Sequence, residues 1–109
     1  MRSQKEIFQD ILDNALSVID DKWVEIKFDV RMDDEQSGFV VDYFLEENGI
    51  LIEKSLPYVG AFIFLFEELR EHLSIGDKPK FSHCKLSFFA NGKFNADYSY
   101  ELVDWDLKY

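Results

Sequence analysis

Apolar and polar residues alternate strictly over 23–32. Val24, Ile26, Phe28, Val30 and Met32 fall on one side, and Glu25, Lys27, Asp29 and Arg31 on the other. A period of two is the mark of a strand with one face buried. Ahead of it the period changes. Ile7, Phe8, Ile11, Leu12, Ala15, Val18 and Ile19 recur at helical spacing and predict an amphipathic helix over 4–20, ended by Asp20-Asp21-Lys22. After the turn residues 33–38, alternation returns over 39–46. Phe39, Val41, Tyr43 and Leu45 share one face, and Val40, Asp42, Phe44 and Glu46 the other. Asn48-Gly49 signals a hairpin into a short strand at 50–53. A short strand of this kind is a candidate edge, able to pair with another chain.

Pro57 suits a first helical turn. Val59, Phe62, Ile63, Phe66, Leu69 and Leu73 then follow helical spacing until Gly76, with Pro79 confirming the break. Gly60 falls inside this pattern, which suggests close packing. Two strands, about 81–89 and 93–103, flank Asn91-Gly92. A two-residue loop there would pair Phe88 with Asn95 and mix core with solvent positions. A three-residue loop with Gly92 in the left-handed region pairs Phe88 with Phe94, Leu86 with Ala96 and Cys84 with Tyr98. Its other face pairs Lys85 with Asp97, as a cross-strand ion pair, and His83 with Ser99. A one-residue slip flips every side chain, so the second register is expected.

The order α-β-β-β-α-β-β predicts an α+β fold. It has an antiparallel sheet of about five strands with both helices packed on one face. At 109 residues the chain fits a single domain over 1–109.

Charge changes the picture more than composition does. The net charge is −10, from 22 acids against 12 bases. That disfavours direct binding to nucleic acid phosphates or to anionic membranes. It favours solubility and rapid capture of a basic partner. The acids are unevenly placed. Asp33, Asp34, Glu35, Asp42, Glu46, Glu47 and Glu53 occupy 33–53 without a Lys or Arg, whereas Lys78, Lys80, Lys85 and Lys93 occupy 78–93 without an acid. Val40 and Phe44 alternate with Asp42 and Glu46, either as an interface or as cover for neighbouring side chains. Trp23 and Phe89 have the parity of the same outer face. Trp105, between Asp104 and Asp106, either anchors a partner or folds back on the sheet.

Catalytic chemistry finds little support. His83 and Cys84 are strand neighbours and point to opposite faces, which does not suit a zinc site. The carboxylate runs fit solvated turns better than an acid–base pair set in a cleft. Cys84 falls on the apolar face, where it packs. The glycines are scattered and form no phosphate loop. No enzymatic role and no cofactor are therefore expected. With one cysteine and no apolar leader core, the chain reads as cytoplasmic.

Four features resemble one family, three of them general. They are the amphipathic N-terminal helix, Trp23 opening the first strand, and Leu65-Phe66-Glu67-Glu68-Leu69-Arg70. The most specific is a fourth, Asn91-Gly92-Lys93-Phe94-Asn95-Ala96-Asp97-Tyr98-Ser99-Tyr100-Glu101. Together they resemble the YezG-like immunity proteins, which neutralise nuclease toxins of bacterial polymorphic-toxin systems. The resemblance implies a non-catalytic cytoplasmic antitoxin whose partner is a cognate toxin. From charge and parity, the partner-binding candidates are Asp33, Asp34, Glu35, Val40, Asp42, Phe44, Glu46, Glu47, Trp23 and Trp105. The alternative is an adaptor or scaffold domain for another basic protein. Oligomeric state stays open.

Overall fold

The computed structural model describes residues 3–19, 22–56 and 60–101. Two helices and five strands run in the order α1 (Gln4–Leu16), β1 (Trp23–Met32), β2 (Ser37–Glu47), β3 (Ile50–Ser55), α2 (Ala61–Leu73), β4 (His83–Phe89) and β5 (Phe94–Ser99). The strands form one sheet ordered β3-β2-β1-β4-β5, every pair antiparallel. This is the α+β architecture that the hydrophobic pattern predicts.

Ser3 and Glu6 form a capping box at the start of α1. The Glu6 N–H donates to Ser3 Oγ at 3.2 Å, and the Ser3 N–H donates to Glu6 Oε1 at 3.2 Å. The helix stops at Leu16, not at 20. The Val18 and Ile19 N–H groups reach back only three residues, to the Ala15 and Leu16 carbonyls. This tighter turn still buries Ile19 but leaves Val18 exposed. The second helix begins at Ala61, with Gly60 as its N-cap. Among the described residues nothing lies within 4 Å of a Cβ at Gly60, so none of them packs closely enough to explain this glycine. Pro57 and Val59 lie outside the described residues.

Both helices lie on one sheet face, and each covers the strands from the far end of the chain. From α1, Phe8 packs edge-on to Phe88 of β4 and Phe94 of β5, with ring centroids 6.2 and 5.2 Å apart. From α2, Phe62 and Phe66 pack on Phe28 of β1 at 5.1 and 5.5 Å, and Phe66 also meets Phe39 of β2. Phe28 therefore sits at the centre, touching Phe88 as well. Offset and edge-to-face contacts of this kind add about 0.5–1.5 kcal/mol each beyond area burial.

The closing hairpin takes the expected register. Phe88 pairs with Phe94, Leu86 with Ala96, Cys84 with Tyr98, Lys85 with Asp97 and His83 with Ser99. Gly92 has φ +89, in the left-handed region that the three-residue loop requires. Lys85 and Asp97 stand opposite one another but close no ion pair, contrary to expectation. Both are exposed, and water competes with so open a pair. The β2–β3 turn has positive φ at Asn48 and Gly49, as a two-residue type I′ hairpin needs.

Candidate functional site

The face of the sheet away from the helices is the candidate surface. Its side chains follow from parity. Phe44, Glu25 and Phe89 lie abreast across β2, β1 and β4. Beside them run Asp42, Lys27 and Ser87, then Val40, Asp29 and Lys85, then Gly38, Arg31 and His83. On the flanking strands, Leu51, Glu53 and Ser55 line up with Glu46, Phe44 and Asp42, and Asp97 lines up with Lys85. Six carboxylates (Glu25, Asp29, Asp42, Glu46, Glu53, Asp97) thus face three fixed cations (Lys27, Arg31, Lys85).

Contacts on this face are specific. The Lys27 ammonium lies 5.2 Å from the Phe44 ring centroid, a cation–π distance, and 3.8 Å from Glu25 Oε2. His83 Nε2 meets Asp29 Oδ1 at 2.5 Å, with the ring N–H donating to the carboxylate. Asp42, Glu46 and Glu53 have no ion-pair partner among the described residues. Lys27, Asp29, Val40, Asp42, Lys85, Ser87, Asn95 and Asp97 rim a shallow depression of about 340 Å³. Val40 and Phe44 are half-buried among these charges.

The acid-only stretch 33–53 is not one patch. Asp33, Asp34 and Glu35 sit in the β1–β2 turn, at one end of the eleven-residue β2, and Glu46 and Glu47 sit at its other end. Asp33 Oδ1 accepts from the Glu35 and Gln36 N–H groups at 2.7 Å each and so shapes the turn. Asp34 Oδ1 pairs with Arg70 Nη1 of α2 at 3.0 Å, on the helix side. Glu47 pairs with Ile50 and has the parity of the core face. The acids of this stretch that share the outer face are Asp42, Glu46 and Glu53.

The outer-face parity expected of Trp23 is corrected. The β1–β2 register slips between Trp23 and Glu25, leaving Val24 as an extra residue. The bulge pairs Trp23 with the buried Leu45 and turns the indole to the helix side, where it packs against the core. Phe89 keeps the predicted outer parity, opposite Glu25. Trp105 lies outside the described residues.

Cys84 is fully buried on the apolar face, as its parity predicts. Burial, followed by the charges of Asp29 and Asp97, pushes its thiol up to about 12. Tyr98 beside it is also raised, first by burial and then by Cys84, against a hydrogen bond from Gln4 Nε2 at 3.3 Å. Such a thiol is a packing group at neutral pH. Among the described residues no cluster of His, Cys, Asp or Glu gathers as metal ligands would. No helix there is long and apolar enough to cross a membrane.

Hydrophobic periodicity missed the exposed apolar side chains. Phe64 is 71% exposed on the far side of α2, and Ile50 and Leu51 are 65% and 60% exposed on β3. For Ile50 and Leu51 a signal existed in their position, at the start of a short strand beside a tight turn. No family model matches the chain, and no curated protein matches it.

Proposed function

We propose that the chain is an immunity protein that binds a nuclease toxin domain and blocks it with the outer face of its sheet. The observation carrying this reading is the acid-dominated face, left open by both helices among the described residues, with Val40, Phe44 and Phe89 set among its charges. Nucleases present basic clefts to hold phosphates. Asp42, Glu46 and Glu53, which pair with no cation among the described residues, supply complementary charge and speed the encounter. Phe44 and Phe89 supply apolar area at the centre of the contact, where most binding energy resides. Inhibition is then steric, with the sheet occupying the cleft or lying across its mouth. The likeness of the closing hairpin to YezG-like immunity proteins supports the same reading, with the bacterial cytoplasm as the site of action.

The test is nuclease assay of the toxin encoded beside this gene, with and without the purified protein. A stable complex with lost nuclease activity is the expected result. Full nuclease activity and no complex would overturn the proposal. A complex formed with an unrelated basic protein in place of a toxin would favour an adaptor.

A further inference from the structure

We propose that the free edge of β3 takes up an extended basic segment of a partner protein by strand addition. The backbone sets the geometry. Glu47 and Ile50 flank the two-residue turn and pair with one another, and at the other end the Leu56 N–H donates to the Val41 carbonyl at 2.9 Å. In an antiparallel ladder only alternate residues bond to a given neighbour. Ile50, Ile52 and Lys54 therefore turn their backbone groups toward β2, and Leu51, Glu53 and Ser55 turn theirs outward. Among the described residues β3 is an edge strand, and those outward groups have no protein partner. A row of this kind is a template for another strand.

The side chains select the occupant. Ile50 and Leu51 are mostly exposed on this edge. On the outer side an incoming strand meets Leu51 and Glu53, with Glu46 and Asp42 one strand further in. On the helix side it meets Ile50, Ile52 and, toward the far end, Lys54, so the cations of the segment belong on the outer side. The segment that fits is extended, with lysine or arginine on the side facing Glu53 and aliphatic residues on the side facing Ile50 and Ile52. A second copy fits poorly, since it would bring two chains of net charge −10 together. The edge adjoins the face assigned to toxin binding but does not depend on the partner being a nuclease.

A synthetic peptide alternating lysine and valine is the probe, with a glutamate–valine peptide as its control. Titration followed by amide exchange in the intact protein should show the Leu51, Glu53 and Ser55 N–H groups becoming protected by the basic peptide only. Glu53→Pro removes an outward N–H and leaves the β2 ladder whole, so the fold tolerates it. It should weaken the basic peptide about tenfold, and Glu53→Gln, which keeps the N–H, by less. Equal binding of both peptides, unchanged exchange at these amides, or an indifferent Glu53→Pro overturns the proposal. Protection that appears without peptide as protein concentration rises also overturns it, because the occupant is then a second copy. A toxin neutralised equally by wild type and Glu53→Pro would sink the edge docking and remove Glu53 from the toxin-facing charge, while the immunity reading would stand on Asp42, Glu46 and Phe44.

Discussion

Phe88 stands directly opposite Phe94 across the closing hairpin, and Phe8 of α1 lies edge-on to both rings. This three-ring contact exists only in the register that the Gly92 turn sets. The Gly92 N–H donates to the Phe89 carbonyl at 3.0 Å, and the Phe89 N–H donates to Lys93 at 2.9 Å.

Gly92→Ala should therefore destabilise the protein by about 1–2 kcal/mol in urea unfolding, through left-handed strain alone. Its Cβ would meet no described residue within 4 Å. Gly60→Ala is the control. Gly60 has φ −56 and equal room, so alanine there should be neutral or stabilising by up to about 1 kcal/mol. Equal losses at both positions would contradict the turn assignment.

The two sheet faces should respond differently to truncation. Phe28→Ala removes the ring around which Phe62, Phe66 and Phe88 pack, and should cost about 3–5 kcal/mol. Phe44→Ala loses a half-buried ring and one cation–π contact, and should cost about 1 kcal/mol. Its larger effect is expected in toxin binding, as faster dissociation in surface plasmon resonance.

Charge reversal on the outer face should act on encounter. Asp42→Lys with Glu46→Lys should slow association with the toxin about tenfold at low salt, and the gap should narrow as salt rises. Stability should move by no more than about 0.5 kcal/mol, since neither carboxylate is buried and neither pairs with a cation among the described residues. A salt-independent loss would point to damage to the fold instead.

Arg70 joins three elements. Its Nε donates to the Phe81 carbonyl at 2.7 Å while its Nη1 holds Asp34, and only 13% of its side chain is exposed. Arg70→Met should cost about 1–3 kcal/mol, because the Phe81 carbonyl loses its donor. Asp34→Asn should cost no more than about 1 kcal/mol, because that carboxylate is 79% exposed and well screened. Thermal unfolding of the two variants distinguishes a staple from a surface ion pair.

Cys84 links stability to alkaline pH. The folded thiol is raised to about 12 from an ordinary 9.0. Above 9.0 the unfolded chain loses this proton first, so stability is full below 9.0 and declines between 9.0 and about 12. Cys84→Ala should be less stable at neutral pH, because it opens a cavity, yet show a flatter decline across that window. Tyr98, also raised, keeps part of the slope, and Tyr98→Phe should remove that part. In the native protein a thiol reagent at pH 8 should react only as fast as the chain unfolds.

Most of the architecture was legible because the apolar period switches cleanly between two and helical spacing. The β4–β5 register could be chosen because a slip would have placed Asn95 opposite Phe88. The bulge at Val24 was not legible, since a single extra residue leaves the alternation of Val24, Ile26 and Phe28 intact. It was enough to send Trp23 to the other face. The acid stretch misled in a different way. Charge runs are one-dimensional, and an eleven-residue strand carries its two ends far apart. Asp42 and Phe44 were placed correctly because parity, unlike charge, is a spatial quantity.

The crossed coverage by the helices has a consequence for how the chain folds. The N-terminal helix shelters the C-terminal hairpin, and the helix before that hairpin shelters the N-terminal strands. Neither half can bury its own apolar face. Separated fragments should each be unstructured and gain order only on mixing. The intact molecule should unfold in one cooperative step, as a single foldon with no surviving half.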